Sequence, residues 1–198
     1  MKKVLKISGL IVGVLVVLMI VASLFGESTG ESDTLYQIGK NGEFFDEKDF
    51  KPVDYKKQTF EKGDILRYNN LAFMLKDSLL APKRSMVDQY PEMSNDENLW
   101  LDEDWILDTK FEFLNLSDDN KSLVDTPFLL VNNGETISEG LIHPKTPTEN
   151  LQKEEARLIR AAFKAPIYEE PIKLYEVNLV LENKEKENIN IKFEVNPN

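Results

Sequence analysis

From Phe60 to Val195 the chain runs in short stretches of alternating apolar and polar residues, broken by turn formers. Alternation with period two puts every second side chain on one face of an extended strand, which marks a strand resting on a core. Leu71, Phe73 and Leu75 share one face. In Trp105–Leu116, Phe111 and Phe113 follow Thr109 on one side, with Lys110 and Glu112 on the other. Tyr175, Val177, Leu179 and Leu181 form a third stripe. The cleanest alternation is Ile189, Ile191, Phe193 and Val195 against Asn190, Lys192 and Glu194. Turns fall between these runs at Gly63-Asp64, "SDDNKS" from Ser117, Asn133-Gly134 and "NKEKEN" from Asn183. Asn-Gly between apolar runs predicts a two-residue hairpin, because both central residues must take positive φ. Six to eight such strands with few helical windows predict an all-β fold, an antiparallel β-sandwich of immunoglobulin type.

Two regions stand outside this pattern. Residues 34–58 mix Phe44, Phe45, Phe50 and Tyr55 with many charges at no clear period, and read as a stalk that packs loosely or stays mobile. Pro82–Glu103 is a long polar, acidic excursion, too long for a hairpin loop and read as a surface insertion. A third segment is open. Thr146, Pro147 and Glu149 make a helix start, and Leu151, Leu158, Ile159, Ala162 and Phe163 then share a helical face. The alternative is a loop and then a strand over Ala156–Lys164, with Ile159, Ala161 and Phe163 inward. The pattern alone favours the helix slightly.

The N-terminus is of another kind. After Lys2, Lys3 and Lys6, the run Ile7–Gly26 carries no charge. Twenty helical residues at about 1.5 Å each span the hydrocarbon core of a bilayer, whereas a signal-peptide core is about 7–15 residues. Residues 1–26 therefore read as a transmembrane anchor, with Val21–Ser23 as the point where a peptidase would cut if it were a signal peptide. The lysines stay in the cytoplasm and residues 27–198 lie outside. The expected organisation is an anchor at 1–26, a polar spacer and stalk at 27–58, and an extracytoplasmic sandwich at 59–198.

Charge and composition narrow the chemistry. The 198 residues hold 24 basic and 35 acidic side chains, a net −11. Past the first 26 residues the balance is 21 against 35, a net −14, which repels phosphate backbones and argues against nucleic acid. There is no cysteine, so disulfides, thiolate metal sites and a lipid-modified N-terminal cysteine are excluded. His143 is the single histidine, set in "LIHPKTP" without a nucleophile motif, and reads as a loop residue. No cofactor is implied. Carboxylates cluster at Asp102/Glu103/Asp104, Asp118/Asp119 and Glu154/Glu155, but adjacency does not make a glycosidase pair. Asn95–Asp104 lacks the spaced acidic loop of a calcium site. These clusters read as solvated faces, and Asp118-Asp119 as part of a turn closing its strand, with a calcium site on the acidic loop or at that turn as the minority alternative. Trp105 reads as a core residue starting a strand. Trp100, Asp102 and Asp104 on the acidic loop are the candidate partner contacts.

Four stretches carry a resemblance: "EKGDILRYNNLAFML" (Glu61–Leu75), "ILDTKFEFLN" (Ile106–Asn115), "PFLLVNNGETIS" (Pro127–Ser138) and "AAFKAP" (Ala161–Pro166). In this order, behind a membrane segment and polar spacer, the chain resembles an uncharacterised bacterial family of secreted or membrane-anchored immunoglobulin-like domains with a telokin-like fold. The resemblance covers Phe60 to Leu181. It implies a strand rather than a helix at Ala156–Lys164, and it brings no catalytic residues. The chain departs from the family's lipoproteins in lacking the N-terminal cysteine and in its acidic insertion. The function so implied is non-catalytic binding or interaction at the bacterial cell envelope, with a protein or envelope component as partner. A cell-surface enzyme or hydrolase accessory using acidic residues, and a structural subunit of an envelope complex, are the competing readings. Because residues 7–26 are long enough to span, the full chain is expected in the membrane fraction. A mature N-terminus near Leu24, found in the medium by mass spectrometry, would show that the segment is cleaved instead.

Overall fold

The computed structural model describes residues 33–45, 50–86, 105–123, 127–142, 149–165, 174–183 and 185–196. The strands are β1 (Leu35–Lys40), β2 (Glu43–Phe44), β3 (Lys51–Val53), β4 (Thr59–Phe60), β5 (Ile65–Tyr68), β6 (Leu71–Pro82), β7 (Trp105–Asn115), β8 (Phe128–Asn132), β9 (Glu135–Glu139), β10 (Leu141–Ile142), β11 (Ala156–Ala165), β12 (Tyr175–Glu182) and β13 (Asn188–Val195), with one helical turn, α1 (Lys83–Met86), after β6. They form two sheets. The larger runs β10-β11-β7-β6-β5-β1-β2, with β3 also on β1, and the smaller runs β4-β13-β12-β8-β9. Pairing is antiparallel except where β4 lies parallel to β13.

The inward stripes read from the alternation meet between the sheets. Phe111 and Phe113 of the larger sheet and Val177, Leu179, Ile191 and Phe193 of the smaller one are fully buried. Rings tie the layers together: Phe111 lies 5.0 Å from Phe128 and 5.2 Å from Phe193 between centroids, and Phe73 lies 6.5 Å from Phe193. Such tilted and edge-on pairs add to the burial of large apolar area.

The Asn133-Gly134 hairpin forms between β8 and β9, with φ of 51° and 82° at its two residues. The open segment is a strand: β11 pairs with β7 over ten residues, turning Ile159, Ala161 and Phe163 to the core. Ten ladder pairs and an apolar face outweigh the helical face that the same residues offer.

Two expectations are corrected. The region read as a stalk supplies β1, β2 and β3 to the larger sheet from Leu35 onward, so the folded body begins before residue 59. Leu35 faces the core and Ile38 faces a second apolar layer, and the register slips between Gln37 and Gly39. A strand covered on both sides and bulged midway has no alternation to read. Trp105 does start β7, yet it is 37% exposed, since the strand's first residue lies beyond the packed interior. The charged side of β7 does not simply meet water. Ile65, Ala72, Met74 and Leu114 pack there beneath Phe44 and Phe50, while Met86 of α1 covers Ile106 and Ala162. Between these patches Lys76 pairs with Glu112 at 3.0 Å, Asp77 bridges Lys62 and Lys110, and Arg160 pairs with the buried Asp108.

Gly140 takes the chain from β9 in one sheet to β10 in the other. Its N–H donates to Phe128 O at 2.7 Å, and a Cβ there would lie 2.8 Å from the Phe163 ring. Only hydrogen fits this crossing.

Phe111→Ala is expected to cost about 3–5 kcal/mol, because the hole left in a fully packed layer cannot close. Glu112→Ala should cost less, about 1 kcal/mol, since Lys76 can turn to water. Guanidinium unfolding of both variants checks the pair; equal losses would refute the assigned facing of β7.

Candidate functional site

The residues singled out on the acidic loop, Trp100, Asp102 and Asp104, lie outside the described residues, as do His143 and the uncharged run 7–26. Among the described residues no helix is long and apolar enough to cross a membrane, and no three His, Cys, Asp or Glu side chains stand close enough to hold a metal ion.

One end of the sandwich builds an open cleft of about 320 Å³. Its walls are the β5–β6 turn (Asn69, Asn70), the chain after β7 (Lys121, Ser122, Leu123) and the end of β12 (Val180, Leu181, Glu182), with Tyr68 and Leu71 beside the turn. Each wall has a local cause. Tyr68 pairs with Leu71, so only two residues make the turn, and Asn69 takes a left-handed φ of 52°, which asparagine tolerates better than most residues. Arg67 Nε donates to Asn69 O at 2.9 Å, and Leu116 N donates to Asn70 O at 2.7 Å, which ties the turn to the exit of β7.

The second wall hangs on Asn115, which is fully buried. Its Nδ2 donates to Asp119 O and Leu151 O, both at 2.8 Å, while its Oδ1 accepts from Ser117 N at 2.9 Å. Ser117 Oγ in turn accepts from Asp119 N. Lys121 and Leu151 then exchange two backbone hydrogen bonds. The acidic pair after β7 is thus a turn, but Asn115 and Ser117 fold it. Asp118 points outward to an exposed Lys153, 2.6 Å away, a contact of small energetic weight. The third wall is set by the hairpin after β12, where Asn183 Oδ1 accepts from Glu185 N and Glu187 N.

The lining offers the amides of Asn69 and Asn70, the Lys121 ammonium, the Ser122 hydroxyl and the Glu182 carboxylate around apolar Leu71, Leu123, Val180 and Leu181. Asn69 Oδ1 is buried without a donor among the described residues. Tyr68 is buried beneath, its hydroxyl donating to Asp33 Oδ1 at 3.2 Å. Burial first, and then the charge of Asp33, push the Tyr68 phenol up to about 12. This set works by hydrogen bonds, charge and apolar contact. None of these residues was picked out as functional in the sequence; the only trace was Asn69-Asn70 between two apolar runs. Compared with known proteins, the chain matches no family model, no curated protein and no solved structure.

The raised phenol gives a pH dependence. An unfolded tyrosine loses its proton near 10, while folded Tyr68 keeps it to about 12. In that window the unfolded chain binds fewer protons, so stability falls as pH rises. Unfolding midpoints between pH 9 and 11.5 should drop more steeply in the native protein than in Tyr68→Phe; parallel slopes would show that this hydroxyl does not contribute.

Proposed function

We propose that the chain is a membrane-anchored module of the bacterial cell envelope, whose extracytoplasmic, immunoglobulin-like sandwich binds a partner without catalysing a reaction. The observation that carries this reading is the open cleft at the end of the sandwich. It is walled by a turn, a tied-down loop and a strand end, and binding sites commonly sit on loops held by a rigid scaffold. The immunoglobulin-like class is supported by two sheets packed on one core with a strand pair that changes sheets at Gly140. The resemblance through "EKGDILRYNNLAFML" and "PFLLVNNGETIS" points the same way. The anchor is supported by the uncharged run 7–26, and the choice of a protein or envelope component over nucleic acid by the −14 balance of the remainder.

Lys121→Trp tests the reading. Lys121 lines the cleft and its bridge to Leu151 is made by backbone alone, so a bulky indole there is expected to obstruct the cleft while the scaffold stays in place. Leu158→Asp, on the exposed outer side of β11, is the control. After cross-linking in intact cells, adducts of the full-length protein should be lost in Lys121→Trp and kept in Leu158→Asp. Unchanged adducts in the cleft variant would remove the cleft from the function.

A further inference from the structure

The chain has two Asn-Gly turns of similar conformation and unlike surroundings. Asn41-Gly42 joins β1 to β2 and Asn133-Gly134 joins β8 to β9; all four residues have positive φ, between 51° and 82°. Asn-Gly is the dipeptide whose side-chain amide is most open to attack by the next main-chain nitrogen, because glycine has no Cβ to hinder it. At Asn41-Gly42 that nitrogen is engaged: Gly42 N donates to Gly63 O at 2.8 Å. Gly63 also sits so close that a Cβ on it would meet Asn41 Cα at 3.0 Å. The first turn is clamped by the Gly63-Asp64 turn, itself held by Asp64 Oδ2 accepting from Glu61 N and by Gln37 Nε2 donating to Asp64 Oδ1. The second turn has no such clamp. Asn133 and Gly134 are exposed, Gly134 N donates to no described group, and a Cβ at Gly134 would meet nothing within 4 Å. It also ends at β9, the outer strand of its sheet, which is mostly exposed.

We propose that Asn133 is a site of spontaneous deamidation in the folded protein and that Asn41 is protected from it by the Gly42–Gly63 hydrogen bond. The main-chain nitrogen of Gly134, having lost its proton to base, attacks Cγ of Asn133. The new N–Cγ bond closes a succinimide as the Cγ–Nδ2 bond breaks and ammonia leaves. Water then opens the ring at either carbonyl, giving aspartate or isoaspartate. Each event adds one negative charge at the tip of the β8–β9 hairpin, and the isoaspartate product adds a carbon to its main chain. The two-residue turn no longer fits that longer path.

The test is peptide mapping of the full-length protein in detergent micelles, incubated at mildly alkaline pH, which follows the mass gain of about one dalton and the isoaspartate at each site. In the folded protein Asn133 should convert about tenfold faster than Asn41, the ratio set by a hydrogen bond that must break before attack. In guanidinium, where both turns are lost, the two rates should converge. Equal rates in the folded protein, or faster conversion of Asn41, overturn the proposal. A difference that persists in guanidinium overturns it as well, since it would then come from neighbouring sequence and not from the fold.

Discussion

The structure depends on one contact above others: Phe111 of β7 set between Phe128 of β8 and Phe193 of β13. Neither sheet can bury its apolar face alone. The larger one turns Leu66, Phe73, Leu75, Phe111, Phe113, Ile159 and Phe163 to the interior, and the smaller answers with Phe128, Leu130, Val177, Leu179, Ile191 and Phe193. The rings meet tilted or edge-on, as their charge distribution favours. With the layers locked there, strand ends and turns fall at fixed places, and the cleft at the end of β12 follows from where the β5–β6 turn and the chain after β7 must lie.

What could be read from the sequence was what has one buried face. β12 and β13 alternate plainly because their other face carries Glu176, Lys192 and Glu194, and Asn133-Gly134 announced its hairpin. β1 was missed because both its faces are covered and a register slip interrupts it. β11 was ambiguous because small residues, Ala156, Ala161, Ala162 and Ala165, suit a helix as well as a strand in isolation. Only pairing with β7, 42 to 60 positions away along the ladder, decides.

The cleft was illegible for a different reason. Its walls come from residues near 69, 121 and 181, and nothing in any one stretch marks them as neighbours. Asn115 is the clearest case. In the sequence it is one polar residue at the end of a strand, and in the fold it is a buried tie between the turn after β7 and the chain at Leu151. Burial gives such an amide its weight, because each group it satisfies would otherwise cost about 1–3 kcal/mol.

The parallel pairing of β4 with β13, Phe60 beside Phe193, has a consequence in time. During synthesis Phe60, Phe73 and Phe111 all appear before Phe193, the ring that each of them meets. Until β13 emerges, the larger sheet has an apolar face with its covering layer incomplete. Contacts so distant along the chain also form slowly, since the loop between them must close before any gain is made. The core therefore closes late along the chain, so anything that shields its aromatics must remain until Phe193 has arrived.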